Sequence, residues 1–121
     1  KKWGGHECCL QAMLAGSQLG WLRDERFVFP ALEQTNYEAR LTAVACLAFL
    51  QTEEGNKRLR QAAVEDGNAS VREAALWACG FAGVEEIREL IRNRSKEDPN
   101  ERVRNFATAA LEQIEISWWA M

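Results

Sequence analysis

The chain has 121 residues, 47% hydrophobic and 27% charged, and its 15 basic and 18 acidic side chains give a formal net charge of -3. This balance predicts one soluble domain or a short repeat array, and the mild acidity argues against a protein that coats nucleic acid or an anionic membrane. Only 8 glycines and 2 prolines are present, too few for a many-stranded sandwich, so the composition favours an all-α fold. The longest apolar run, residues 41–50, is too short for a membrane span, and we expect no membrane partner.

The helical spacing of apolar residues predicts a leading helix over residues 3–20, followed by three helix pairs. In chain order, the first and second helices of these pairs are predicted over residues 24–33 and 37–50, 53–65 and 69–82, and 84–96 and 101–115. The turn residues Asn36, Asn68 and Asn100 are expected to cap the second helices with their side-chain oxygens. We predict a single domain over residues 1–121, with repeats over 24–51, 53–83 and 84–116 and a C-terminal tail over 117–121.

The three predicted turns repeat at a spacing of 32 residues. Glutamates recur at positions 33, 65 and 97, asparagines at 36, 68 and 100, and arginines at 40, 72 and 104. An antiparallel helix pair that leaves one apolar face uncovered has to stack on the next pair. The repeat therefore predicts a right-handed α-solenoid, an alpha-alpha superhelix of stacked antiparallel helix pairs.

The turns and the helix starts that follow them share a motif. Residues 66–75 and 98–107 both read Asp-x-Asn followed by Val-Arg-x-x-Ala. This motif resembles HEAT repeats, particularly the short HEAT-like type named after phycobilisome lyases, and the resemblance covers residues 24–115. Repeats of this type occur in scaffolds, chromophore lyases and DNA glycosylases, so the resemblance indicates the fold and does not settle the activity.

The arginines at the repeated position are predicted to form a structural ladder with the turn aspartates: Arg40, Asp66, Arg72, Asp98 and Arg104. In HEAT-like repeats the turn acid and the following arginine generally pair within or between units. Asp66 with Arg72, and Asp98 with Arg104, are placed to do so. Gln34 stands where the other turns have aspartate, so Arg40 either pairs with Glu33 or is freer than the others.

One face of the second helices is predicted to bind a peptide or protein. Trp77 offers a flat aromatic anchor of the kind that dominates interface energies, and the alternative is that it packs against its neighbours. The predicted partner-binding residues are Leu41, Val44, Glu73, Leu76, Trp77, Asn105, Thr108 and Glu112. The predicted function is a non-catalytic interaction scaffold or adaptor.

Two other classes of function remain open. The first is a bilin-lyase-like or chaperone-like accessory factor, which would bind a linear tetrapyrrole in the same groove. The second is a nucleic-acid-binding HEAT-like module, which the net charge disfavours. That module would require six basic residues to face one groove: Arg40, Arg72, Arg92, Arg94, Lys96 and Arg104.

The sequence predicts no enzyme and no cofactor. His6 is the sole histidine, so a multi-histidine metal site is not available, and neither catalytic nor metal-binding residues are predicted. The four cysteines, at positions 8, 9, 46 and 79, are expected to be buried free thiols, which suits an intracellular, cytoplasmic location. Trp118 and Trp119 either cap the last apolar face or form a second interface, through which a homo-oligomer would form. Lys1 opens almost directly into the leading helix, which favours a segment of a longer protein.

Overall fold

A computed structural model describes residues 25–79 and 84–120, with the side chains of residues 26–79 and 87–114. Every regular element in these ranges is helical, which confirms the all-α prediction there. Two short 3-10 segments, Glu25–Phe27 and Phe29–Glu33, come first. The α-helices that follow are α1 (Tyr37–Leu50), α2 (Glu53–Glu65), α3 (Ala69–Cys79), α4 (Val84–Glu97) and α5 (Glu101–Ala120). Within these ranges no helix combines the length and the apolar character needed to cross a membrane.

The first predicted helix, over residues 24–33, is wrong in type, because the two 3-10 segments occupy this stretch. Pro30 lies at the start of the second segment. Its nitrogen carries no hydrogen, so a continuous α-helix through it would lose a backbone hydrogen bond. The other helices begin where predicted, and α5 continues five residues further than expected, to Ala120. The predicted leading helix over residues 3–20 lies outside the described residues.

Asparagines cap three of the helices, as predicted. The side-chain oxygens of Asn36, Asn68 and Asn100 each accept from the backbone N–H two residues ahead, at 2.8 Å in all three cases. They also accept from the N–H three residues ahead, at 3.4, 3.3 and 3.3 Å. These bonds satisfy N–H groups that have no partner inside the first helical turn, so each cap sets the residue at which its helix begins.

The helices α1, α3 and α5 pack side by side in chain order, while α2 and α4 each pack against the helix that follows them. Alanine stands at the same place on the three neighbouring helices, where Ala43, Ala75 and Ala107 are fully buried. Small side chains at these contacts let the helix axes approach closely. Cys46 and Cys79 are buried and form no disulfide bond, as predicted, whereas Cys8 and Cys9 lie outside the described residues.

Two arginines tie consecutive helix pairs together through bidentate ion pairs. Arg40 donates from Nε and Nη2 to the carboxylate of Asp66, at 2.9 and 3.2 Å. Arg72 donates from the same two atoms to Asp98, at 2.8 and 3.1 Å. Each aspartate follows its arginine by 26 residues in the sequence. We call Arg40, Asp66, Arg72, Asp98 and Arg104 the arginine ladder, and each arginine with its carboxylate a rung.

The third guanidinium nitrogen of each arginine binds the preceding turn. Nη1 of Arg72 donates to the backbone carbonyl of Asp66 at 2.8 Å, and Nη1 of Arg104 donates to that of Asp98 at 2.6 Å. The sequence predicts that Asp66 pairs with Arg72 and that Asp98 pairs with Arg104. In both cases the arginine binds the backbone carbonyl of the aspartate, whereas the aspartate carboxylate binds the arginine of the preceding helix pair. Arg40 binds Asp66 and not Glu33, because its Nε and Nη2 face the next pair.

Asp98 is almost completely buried, with 1% of its surface exposed. Its Oδ2 also accepts from Nη1 of Arg94 at 3.4 Å, and its Oδ1 accepts from the N–H of Asn100 at 2.9 Å. Burial alone would raise the pKa of Asp98. The hydrogen bonds from Arg72 and Asn100 and the charges of Arg72 and Arg94 outweigh burial, so the pKa lies below its usual value.

Candidate partner-binding groove

An open groove of about 370 Å³ lies between α3 and α5. Its lining residues are Ser70, Glu73, Ala74, Trp77, Arg102 and Phe106. Positions 70 and 74 on α3 correspond to positions 102 and 106 on α5 at the 32-residue spacing of the sequence. Equivalent faces of two neighbouring helices therefore form the two walls of this α3–α5 groove.

The apolar part of the α3–α5 groove combines a floor with a projecting aromatic wall. Ala74 and Phe106 are half-buried and pack against the core, so they form the floor. Trp77 remains 54% exposed. A large, exposed tryptophan beside an apolar floor has the composition of the anchor sites that carry most of the energy in protein interfaces.

Polar groups form the rim of the same groove. Arg102 donates from Nε to Oε1 of Glu73 at 2.9 Å and from Nη2 to Oγ of Ser70 at 3.1 Å. The side chain of Arg102 is 65% exposed and that of Glu73 is 30% exposed. An ion pair this exposed contributes little to stability. Its two charges compensate each other at the rim and leave the apolar floor as the main surface for a partner.

Two of the predicted partner-binding residues line the α3–α5 groove: Glu73 and Trp77. Val44 and Leu76 are buried, with 1% and 2% exposure, so their placement on a binding surface is wrong. The packing of α1 on α3 and of α3 on α5 explains this burial, because each helix covers a flank of the one before it. Leu41 is half-buried and packs against the core.

The remaining three predicted residues, Asn105, Thr108 and Glu112, are exposed on α5 but do not line the groove. The sequence analysis missed four lining residues: Ser70, Ala74, Arg102 and Phe106. The 32-residue spacing could have identified them, because it relates Ser70 to Arg102 and Ala74 to Phe106. A small residue on α3 therefore corresponds to a large residue on α5 in both cases.

A second groove, of about 320 Å³, lies between the second 3-10 segment and α2. Its lining residues are Leu32, Glu33, Arg58, Gln61, Ala62, Glu65 and Asp66. Two of its charged groups are already engaged, since Asp66 binds Arg40 and the guanidinium of Arg58 lies 4.0 Å from the centre of the Phe29 ring. Five of its seven lining residues are polar or charged, against three of six in the α3–α5 groove, so it offers a smaller share of apolar contact surface to a partner.

Three of the six basic residues required by the nucleic-acid interpretation are engaged by carboxylates inside the fold. Arg72 and Arg94 are buried, with 6% and 8% exposure, and both bind Asp98. Arg40 is held by Asp66. Residues that are buried against carboxylates cannot release counterions from a phosphate backbone, so this set of six cannot form the proposed interface.

The described residues also offer little reactive chemistry. Burial raises the pKa of the Cys79 thiol to about 11, against a smaller opposing effect of the Arg60 charge. That thiol is therefore protonated at neutral pH and is a poor nucleophile. Among the side chains that the structure describes, those of residues 26–79 and 87–114, no three from His, Cys, Asp or Glu are grouped so that they could hold a metal ion.

A family model described as HEAT repeats matches residues 19–112. The chain belongs to the HEAT-repeat family. The match includes every residue that lines the α3–α5 groove and both rungs of the arginine ladder. HEAT repeats are commonly protein-interaction scaffolds and are generally not enzymes. Comparisons with curated proteins and with solved structures found no match.

Proposed function

We propose that this HEAT-repeat chain is a non-catalytic protein-interaction scaffold and that it binds a peptide or protein surface in the α3–α5 groove. The observation that carries the proposal is the exposure of Trp77, which stands 54% exposed over the apolar floor formed by Ala74 and Phe106. An apolar side chain of a partner would pack against this indole and lose its contact with water. Ser70 and Arg102 would supply hydrogen bonds that orient the partner.

The arginine ladder supports this function by holding the groove in shape before a partner arrives. The rung from Arg72 to Asp98 joins α3 to the turn that precedes α5, so it fixes the distance between the two walls. A groove that is already ordered loses less conformational freedom on binding, which leaves more of the contact energy for affinity.

In this proposal the helix pairs stack as a right-handed solenoid with a period of 32 residues. Two features support the stacking: the same bidentate bonds from Arg40 and Arg72 to acids 26 residues ahead, and the side-by-side packing of α1, α3 and α5. The surfaces between neighbouring second helices, of which the α3–α5 groove is one, would then lie on the same side of the array. A partner could contact more than one of these surfaces.

The test is affinity capture from the cells that make the protein, with the wild type beside Trp77→Ala. Phe49→Ala is the matched control, because Phe49 is also an exposed aromatic, at 51%, but lies on α1 outside the groove lining. For a partner recovered by the wild type, Trp77→Ala should weaken the purified complex by about 30-fold, the loss of a hot spot worth about 2 kcal/mol. Phe49→Ala should bind as the wild type does.

Equal binding by Trp77→Ala and the wild type would reject the groove as the binding site. Equal loss in both variants would also reject it, because the effect would then not be specific to the groove. Circular dichroism melts of both variants provide the folding control, since substitutions of exposed residues change stability by only about 0.5 kcal/mol.

A further inference from the structure

The α3–α5 groove changes from polar to apolar along its length. Ser70 and Arg102 are each the second residue of their helix, and both line the groove. Ala74 and Phe106 line it four residues further along the same two helices. This separation corresponds to about 6 Å, from the helical rise of about 1.5 Å per residue. A partner therefore meets hydrogen-bonding groups at the helix starts and an apolar floor about one turn later.

Arg102 is the charged group at the polar end that is most open to a partner. Its Nε and Nη2 donate to Glu73 and Ser70 at 2.9 and 3.1 Å, while its Nη1 donates to no residue in the described ranges. A guanidinium has five N–H donors, so three of them remain for a partner. Arg40 and Arg72, by contrast, use all three nitrogens inside the fold. Arg102 is therefore oriented by α3 and still has donors to give.

The charge at the polar end favours a carboxylate over a cation. Glu73 is the one acid in the groove lining, and its side chain is 30% exposed, against 65% for Arg102. Its carboxylate already accepts from Arg102, so the charge of Glu73 is compensated. Ser70 and Arg102 also lie in the first turn of their helices, where the backbone dipoles add partial positive charge. What this end presents to a partner is therefore mainly a set of hydrogen-bond donors.

We infer that the partner of the α3–α5 groove is a segment that carries a carboxylate about 6 to 10 Å from a large apolar side chain. This inference rests on the proposed function and names the chemistry of the partner. The carboxylate would accept from Nη1 of Arg102, and the apolar side chain would pack on Phe106 beside Trp77. The range of about 6 to 10 Å is the helical rise from position 70 to positions 74 and 77, and it corresponds to two or three residues of an extended segment. The apolar contact supplies most of the affinity, and Arg102 selects the partner.

The probe is a phage-displayed library of random short peptides. The library is depleted on Trp77→Ala and then selected on the wild-type chain, so that the recovered peptides depend on the groove. We expect Asp or Glu to be enriched, relative to the unselected library, near a Trp, Phe or Leu in the same peptide. A parallel selection on Arg102→Glu should lose this enrichment and favour Lys or Arg, because the reversed charge repels a carboxylate.

A double-mutant cycle tests the contact itself. One recovered peptide is synthesised with its acid and with the corresponding amide, and dissociation constants are measured by fluorescence anisotropy. The amide should weaken binding to the wild type by about tenfold, the loss of a hydrogen bond to a charged group, and should change nothing on Arg102→Gln. Arg92→Gln is the matched control and should behave as the wild type, because Arg92 also pairs with a glutamate but lies on α4 outside the groove lining.

Glu73→Gln separates an acidic partner from a basic one by the sign of its effect. The amide oxygen can still accept from Nε of Arg102, but the charge that competes with the carboxylate of the peptide is gone. An acidic peptide should therefore bind about threefold more tightly, in the range measured for exposed ion pairs. A basic peptide that pairs with Glu73 would bind this variant more weakly.

The inference is overturned if the recovered peptides show no enrichment of acids, if the amide has the same effect on the wild type and on Arg102→Gln, or if Glu73→Gln weakens binding. In these three results peptides that depend on Trp77 exist, so the groove stands and only the chemistry of the partner is wrong. The inference is also overturned if no peptide survives the depletion, and the proposed function is then still decided by affinity capture with Trp77→Ala.

Discussion

Replacement of Asp98 by alanine should destabilise the protein far more than an ordinary surface substitution. The carboxylate is 1% exposed and accepts two hydrogen bonds from Arg72, one from Arg94 and one from the N–H of Asn100. Arg72 belongs to α3, Arg94 to α4 and Asn100 to the turn before α5. A single side chain therefore holds three parts of the fold together.

The magnitude follows from what the substitution leaves behind. Arg72 and Arg94 are 6% and 8% exposed, so without Asp98 two guanidinium groups would lack their carboxylate in a mostly buried setting. Removing one partner of a buried ion pair typically costs about 3 to 5 kcal/mol. The whole unfolding free energy of a small domain is about 5 to 15 kcal/mol. We therefore expect Asp98→Ala to remove a large share of the stability.

Urea unfolding followed by circular dichroism measures this loss. The matched control is Arg104→Ala, whose side chain is half-buried and makes one hydrogen bond, to the Asp98 carbonyl. Loss of that bond should cost about 1 kcal/mol. If the two variants lose the same amount of stability to within about 0.5 kcal/mol, the argument that the buried rung holds the helix pairs together is refuted.

Three further predictions test other features of the fold. Because the pKa of Asp98 is lower in the folded than in the unfolded protein, its ionised form stabilises the fold at neutral pH, and this stabilisation is lost as the pH falls below the ordinary value of about 3.9. Urea unfolding across this range should show a steeper acid loss in the wild type than in Asp98→Asn, and parallel pH profiles would contradict this. Gly55→Ala should lower the melting temperature although alanine is normally the better helix residue, because the new Cβ would lie 2.6 Å from Oγ1 of Thr52, which caps α2, and 3.2 Å from Cδ2 of Leu47. A higher melting temperature would show that the cap can move aside. Cys79, whose pKa is raised to about 11, should be alkylated by iodoacetamide at about pH 8 only after unfolding, and rapid labelling of the native protein, located by mass spectrometry, would contradict its burial.

The helices were predictable because their signals are local. Apolar spacing and capping asparagines at positions 36, 68 and 100 act within one or two turns of the chain, and the bounds of α1 and α2 agree with the predicted ones. Pro30 is also a local signal, and it accounts for the 3-10 segment that replaces the predicted α-helix. Membership of the HEAT-repeat family followed from the same turn motif.

The lining of the candidate groove was harder to predict because it depends on how the helices pack. Val44 and Leu76 have the spacing of an exposed face on an isolated helix, and only the neighbouring helix determines that they are buried. The direction of the rungs is similarly non-local, since Arg72 lies near Asp66 in sequence but binds the carboxylate of Asp98. The phycobilisome-lyase subtype, the bilin-lyase-like alternative and the intracellular location stay predictions. The side chains of Trp118 and Trp119 lie outside the described residues.

The rungs also have a consequence for how the protein folds. Both complete rungs join residues 26 positions apart, so each closes a chain segment of the same modest length. Contacts of short sequence separation form faster than long-range ones, and the entropic cost of closing such a segment is nearly the same for each. Folding can therefore start at either rung and spread to the neighbouring helix pair. Loss of one rung would slow the step in which the two helix pairs that it joins pack together. The other helix pairs would still fold through their own local contacts.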